Sequence, residues 1–88
     1  MIKIFKNIDL SKVSFVSQIE KVREEDKEFL EATMQYKLGY GNKEHIKEEL
    51  CDKIQAALGL AEKQGIPAEE VEEYFKTIHI EKLKSRPR

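Results

Sequence analysis

The stretch MQYKLGYGNKEHIKEEL, residues 34–50, decides the fold of this chain. Gly39 suits the left-handed position that follows the end of a helix, and Asn42 can cap the start of the next helix. Helical patterns of apolar residues reach this turn from both sides. A loop of about four residues between two such segments predicts an antiparallel helical hairpin.

The segment before the turn predicts the first long helix. Its apolar residues recur at three- and four-residue spacing and are Phe15, Val16, Ile19, Val22, Phe29, Leu30, Met34 and Leu38. Ser11, Ser14 and Ser17 are all able to cap this helix, so its start lies between residues 11 and 17. Asp26 interrupts the apolar stripe; it either supports a neighbouring site or lies at the edge of an interface.

Two more helices are predicted after the turn. The second runs from Lys43 to about Gln64. Its apolar stripe consists of Ile46, Leu50, Ile54, Ala57, Leu58 and Ala61. Pro67 favours a new helical start, so the third helix is predicted from Pro67 to about Leu83. Its inward residues are predicted to be Val71, Tyr74, Phe75 and Ile78.

Composition agrees with an all-α fold in one domain over residues 1–88. The chain has 88 residues with only four glycines and two prolines, which argues against a turn-rich β fold. Residues 1–10 are interpreted as an N-terminal arm and residues 80–88 as a basic tail. Three helices of this length bury little core alone, so we expect a four-helix-bundle-like core completed in a homodimer or homotetramer.

Charge and cysteine content exclude several classes of protein. The net charge of −1 gives no reason to expect a nucleic-acid partner. No stretch approaches the roughly 18 apolar residues of a membrane span, and residues 1–5 lack the apolar core of a signal peptide. Cys51 is the single cysteine and cannot form an internal disulfide. We therefore expect a cytoplasmic protein without a membrane partner.

Four acidic residues are predicted to converge on one edge of the hairpin. Glu25 and Glu28 lie about −60° and −120° from the apolar stripe of the first helix. Glu49 and Asp52 take the same two offsets on the second helix. At ~1.5 Å per residue, the two pairs also lie within about 5 Å of each other along the hairpin.

Clustered carboxylates of this kind predict a divalent cation. They repel one another unless cations lie between them, and ligand sets made only of oxygen favour Mg²⁺ or Mn²⁺. His45 and His79 are isolated in the pattern, so no zinc set is expected. Because Mg²⁺ commonly also binds phosphates, the pattern indicates Mg²⁺ with a polyphosphate. The alternative is a solvated acidic face with helical ion pairs such as Lys27–Glu31, worth only ~0.2–0.5 kcal/mol each.

The same residues resemble the signature of a known family. REEDKEFLEA at 23–32, followed by KEELCDKI at 47–54, resembles the EExxE…ExxD motifs of the MazG-like all-α nucleoside triphosphate pyrophosphohydrolases. Glu24, Glu25 and Glu28 match the first motif, and Glu49 and Asp52 match the second. The likeness continues through residues 56–71 and ends with HIEKLKSR at 79–86, which looks like the family's basic C-terminal segment.

The resemblance implies an enzyme that hydrolyses a nucleoside or deoxynucleoside triphosphate between its α- and β-phosphates, with Mg²⁺. Members of this family work as dimers or dimers of dimers. The resemblance implies that Glu24 accepts a proton from the attacking water. It also implies a set of Mg²⁺ ligands, which are Glu25, Glu28, Glu49 and Asp52.

Basic residues are expected near the phosphates. Lys53 either binds phosphate, pairs with the acidic residues, or lays its stem on apolar surface with its ammonium in water. Lys82 and Arg86 either close over the phosphates or stabilise the end of a helix.

Two departures from the family pattern keep a second function open. Many relatives have asparagine where this chain has Gly59, and another near the tail where it has His79. The alternative is a non-catalytic regulatory module that uses the same scaffold to bind a nucleotide or a partner protein.

Overall fold

The computed structural model describes residues 9–85, which are helical apart from short connections. Helix α1 covers Phe15–Lys37 and helix α2 covers Lys43–Lys63. A third rod follows and consists of α3 (Ala68–Tyr74), a π-helical segment (Phe75–His79) and α4 (Ile80–Ser85). The predicted all-α fold is confirmed.

Parts of the predicted arm and tail, residues 1–8 and 86–88, lie outside the described residues. Within residues 9–85, none of the helices is both long and apolar enough to cross a membrane. The cytoplasmic location and the absence of a nucleic-acid partner stay predictions.

The helix ends follow the local sequence closely. Ser14 is the serine that caps α1, and its hydroxyl accepts a hydrogen bond from the Ser17 amide at 3.0 Å. Gly39 follows α1 with φ of 96°, a conformation that glycine adopts at little cost. The Asn42 side chain accepts a hydrogen bond from the His45 amide at 2.8 Å and caps α2. The predicted turn of the hairpin is therefore confirmed at both of its ends.

Small and polar residues form the interface between α1 and α2, which we call the seam. It is made by the buried residues Gln18, Glu25 and Ala32 of α1 and Glu49, Ala56 and Gly59 of α2. The members on α1 recur every seven residues, so they lie on one face of that helix. Small side chains at these positions let the two helices approach each other closely.

The predicted apolar stripe of α1 is only partly covered, which corrects the expectation that it forms the core. Leu30 and Met34 are 59% and 57% exposed. The seam lies beside the stripe, and the helices therefore meet along small and polar residues. Among the described residues, no large side chain is fully buried.

The third rod departs from the prediction of one regular helix with an inward face. The Ile80 amide donates to the Phe75 carbonyl, five residues back. The Thr77 hydroxyl donates to the Glu73 carbonyl at 2.9 Å, an acceptor that the Thr77 amide would use in an α-helix. This competition coincides with the widened turn.

The residues predicted to face inward on this rod are mostly exposed. Tyr74, Phe75 and Ile78 are 57%, 46% and 54% exposed. Within residues 9–85 the rod contacts the hairpin only through α2, so it cannot bury this face against both helices.

Replacing Asn42 with alanine is expected to lower the free energy of unfolding by about 1 kcal/mol, because the His45 amide loses its acceptor. Asn42→Ser keeps a capping oxygen and is expected to stay near the wild-type stability. Urea unfolding followed by circular dichroism, at matched protein concentrations, measures both. An alanine variant as stable as the serine variant would show that the cap contributes nothing.

Candidate functional site

Five carboxylates form one acidic cluster across the hairpin. One oxygen from each of Glu25, Glu49 and Asp52 lies within 4.8 Å of the other two. Glu24, Glu25 and Glu28 form a second group with the same spacing. Glu25 belongs to both groups, so it links the two motifs in space. The antiparallel register of α1 and α2 brings these pairs to the same height.

The acidic cluster runs from the seam to the surface. Glu25 and Glu49 are 4% and 8% exposed, whereas Glu28 is half-buried and Asp52 is exposed. The prediction that all these carboxylates lie at the edge of the hairpin is therefore wrong for Glu25 and Glu49. The apolar stripe, from which the helical angles are counted, is not the centre of the buried face.

The buried carboxylates fit a divalent cation. The Oε2 atoms of Glu25 and Glu49 are buried and have no hydrogen-bond partner. Such an atom costs about 1–3 kcal/mol when it stays unpaired, and more when its group is charged. The groups around Glu25 offer only oxygen ligands, which is the chemistry that Mg²⁺ and Mn²⁺ prefer.

The electrostatics of Glu28 reflect this crowding. Partial burial, followed by repulsion from the charges of Glu25 and Glu49, raises the pKa of Glu28 above its ordinary value. Without a cation, the ionised cluster therefore opposes folding.

One lysine partly neutralises the cluster. The Lys21 ammonium lies 2.7 Å from Glu25 Oε1. This hydrogen bond is the main reason why the pKa of Lys21 is raised. Lys21 was not among the predicted site residues, although a lysine four residues before a glutamate on one helix is a signal for an ion pair.

The predicted basic residues are placed differently. The Lys53 ammonium lies 3.5 Å from Asp26 Oδ1 and 5.0 Å from the centre of the Phe29 ring. It therefore bridges the two helices through Asp26. Lys82 is exposed on α4, and Arg86 lies outside the described residues.

One further ion pair and the two histidines were also considered in the sequence, and the structure places each of them. The predicted outer pair Lys27–Glu31 is confirmed, with 3.9 Å between Nζ and Oε1. The prediction that His45 is isolated is wrong, because its Nδ1 lies 3.8 Å from Glu49 Oε1. Because His45 is on α2, one turn before Glu49, helical spacing brings them together. His79 instead packs on Phe75, with ring centres 5.3 Å apart.

A cleft of about 280 Å³ opens beside Glu25 and Asp52. Its lining is Leu10, Gln18, Lys21, Glu25, Asp52, Gln55 and Ala56. The Gln18 amide donates to the Ala56 carbonyl at 2.9 Å, which fixes this side chain on the wall. A Cβ at Gly59 would lie 2.8 Å from both Gln18 Nε2 and Leu10 Cδ1. The absence of a side chain at position 59 therefore allows Gln18 and Leu10 to pack there.

Glu28→Gln is expected to stabilise the metal-free protein at neutral pH. A carboxyl group whose pKa is higher in the folded state opposes folding once it ionises, so its cost appears above the ordinary pKa of 4.5 and is absent below it. Thermal unfolding in a chelator should show the variant above the wild type at neutral pH, with the gap closing as the pH falls toward 4.5.

Glu31→Gln is the matched control, because Glu31 is an exposed partner of Lys27. It should show no such dependence on pH. Added Mg²⁺ should stabilise the wild type more than Glu28→Gln. Equal stability of Glu28→Gln and wild type at neutral pH would contradict the crowding of carboxylates.

Comparison with known proteins agrees with the geometry of the site. The model of the family described as phosphoribosyl-ATP pyrophosphohydrolase matches residues 8–79, which include the whole acidic cluster. No curated protein and no solved structure matches the chain. The chain therefore belongs to the phosphoribosyl-ATP pyrophosphohydrolase family, within the MazG-like all-α superfamily that its motifs predict.

Proposed function

We propose that this chain is a Mg²⁺-dependent pyrophosphohydrolase that cleaves a nucleoside triphosphate between its α- and β-phosphates. The products are a nucleoside monophosphate and pyrophosphate. The observation that carries the proposal is the buried pair Glu25 and Glu49, each with an unpaired oxygen, in a member of a pyrophosphohydrolase family. Glu25 also lines the open cleft. The family's description adds phosphoribosyl-ATP to the candidate substrates.

The acidic residues have separate roles in this proposal. Glu25, Glu28, Glu49 and Asp52 would hold the cation. Bound Mg²⁺ would neutralise the triphosphate and lower the pKa of a bound water. Glu24 is exposed and is the proposed acceptor of the water's proton.

Basic residues are proposed to neutralise the phosphates that leave. Lys53 already contacts Asp26 and Phe29, which favours a role in joining the helices over direct phosphate binding. Lys82, exposed on α4, and Arg86 of the basic tail are therefore the proposed phosphate contacts among the residues predicted from the sequence.

Glu25→Gln and Asp52→Asn are each expected to lower pyrophosphate release by about 100-fold or more, because partners outside the ligand shell already cost 10–100-fold. Both variants should keep the helical content of the wild type. The assay measures pyrophosphate from all ribo- and deoxyribonucleoside triphosphates and from phosphoribosyl-ATP, with Mg²⁺ or a chelator. Glu31→Gln, which alters an acid paired with Lys27 outside the cluster, should keep full activity.

The outcome separates two classes of function. Release of pyrophosphate that depends on Mg²⁺ and on Glu25 supports the enzyme. Nucleotide binding without release would support the non-catalytic regulatory module. Equal background rates in the wild type and both variants would refute the enzyme.

A homo-oligomer is part of the proposal. Tyr74, Ile78 and Leu38 leave more than half of their surface uncovered, and no large side chain within residues 9–85 is fully buried. Covering one such side chain stabilises an assembly by about 1.5–3 kcal/mol. A second copy of the chain carries the same exposed apolar side chains and could cover those of the first, which supports a homodimer or homotetramer.

Light scattering after size exclusion is expected to give at least the mass of a dimer. Ile78→Lys places a charge on the uncovered face of the third rod and should shift the protein toward monomer. Glu73→Lys changes a charge at an exposed position of the same rod and serves as the control. A monomeric wild type at micromolar concentration would contradict the oligomer.

A further inference from the structure

Lys21 forms a salt bridge with Glu25, the most buried carboxylate of the acidic cluster. Its ammonium lies 2.7 Å from Glu25 Oε1, while Glu25 Oε2 has no partner. The side chain of Lys21 is 52% exposed, and that of Glu25 is only 5% exposed. The ammonium therefore reaches from solvent to Glu25, the residue that both groups of carboxylates share.

A divalent cation at Glu25 would compete with this ammonium. Both are positive, and both would lie within a few ångströms of the same carboxylate, so they repel each other. A lysine in solvent is charged at neutral pH, so the Lys21 ammonium keeps its charge when it leaves Glu25. Binding of the cation therefore favours a different position for Lys21.

The cleft offers that position. Lys21 is the one basic side chain among the described residues that line it. Its four-carbon stem is flexible, and its ammonium carries three donors that suit phosphate oxygens. An anion in the cleft would lie within reach of Lys21 and beside Asp52.

We propose that Lys21 is an exchangeable counter-ion of the site. In the metal-free protein it neutralises Glu25. When divalent cations occupy the carboxylates, its ammonium transfers to a phosphate oxygen of the nucleotide in the cleft. This role rests on the proposed function, because it needs a substrate with phosphates beside the acidic cluster. Lys21 is thus a substrate-binding residue whose salt bridge also sets the affinity for metal.

The proposal predicts opposite effects of one substitution on two affinities. Lys21→Met keeps most of the stem and removes the charge. Its affinity for Mn²⁺ alone is expected to rise by about two- to fivefold, the coupling of a partly exposed ion pair. Its affinity for pyrophosphate in saturating Mn²⁺ is expected to fall by about tenfold or more, since a charge-assisted hydrogen bond is lost.

Two variants serve as controls. Lys21→Arg retains the charge and should stay near the wild type for Mn²⁺. Lys27→Met removes a similarly spaced pair with Glu31 on the outer face and should change neither affinity. Titration calorimetry measures both affinities, with circular dichroism to check folding. Lys21→Gln repeats the test should the methionine variant lose its helical content.

The outcomes distinguish this role from the activity itself. Weaker Mn²⁺ binding by Lys21→Met would mean that the salt bridge is only structural, and unchanged pyrophosphate binding would refute the transfer. Either result leaves pyrophosphate release by the wild type intact. A wild-type protein that binds no Mn²⁺ would overturn both this role and the proposed function.

Discussion

Two acidic side chains, Glu25 and Glu49, are buried in the seam of one helical hairpin. The rest of the structure must offset the free energy that their burial costs. Each keeps an oxygen without a hydrogen-bond partner, which costs about 1–3 kcal/mol or more. Ala32 and Ala56 let the helices meet closely around this unfavourable centre. In a chain of 88 residues the net free energy of folding is small, so a cost of this size is a large part of it. Buried groups that oppose folding are typical of a functional site, where a bound ligand stabilises the folded state.

Local signals predicted the hairpin well because they act through neighbouring residues. Asn42 and Gly39 mark the turn by capping and by backbone conformation, and both effects are independent of the rest of the chain. The third rod was predicted less well. Its apolar face at Tyr74 and Ile78 has the right period, but period alone does not identify the surface that covers it. Its π-helical turn coincides with the bond from the Thr77 hydroxyl to the Glu73 carbonyl, and helical spacing does not reveal this turn.

The sequence predicted where the carboxylates of the candidate site lie along the hairpin, but it did not predict how deeply they are buried. Helical rise placed Glu25 and Glu49 at the same level, and the structure brings them together. Their burial does not follow from the pattern, because the largest apolar residues of α1 do not lie on its buried face. For Lys53 the sequence left three roles open, and it did not identify Asp26 as the partner, since this contact crosses between helices. The ion pair of Lys21 with Glu25 lies within one helix and is therefore a contact that the sequence could have shown.

The departure from the family pattern at Gly59 has a physical consequence for the cleft. A side chain there would meet both Gln18 and Leu10, so its absence lets these two residues form the wall. The Lys63 ammonium donates to the Leu10 carbonyl at 3.0 Å and holds that segment against α2. Gln18 from α1 and Leu10 thus occupy the space that a side chain at position 59 would need. The wall of the cleft beside Glu25 and Asp52 is therefore formed by Gln18, Gln55 and Leu10.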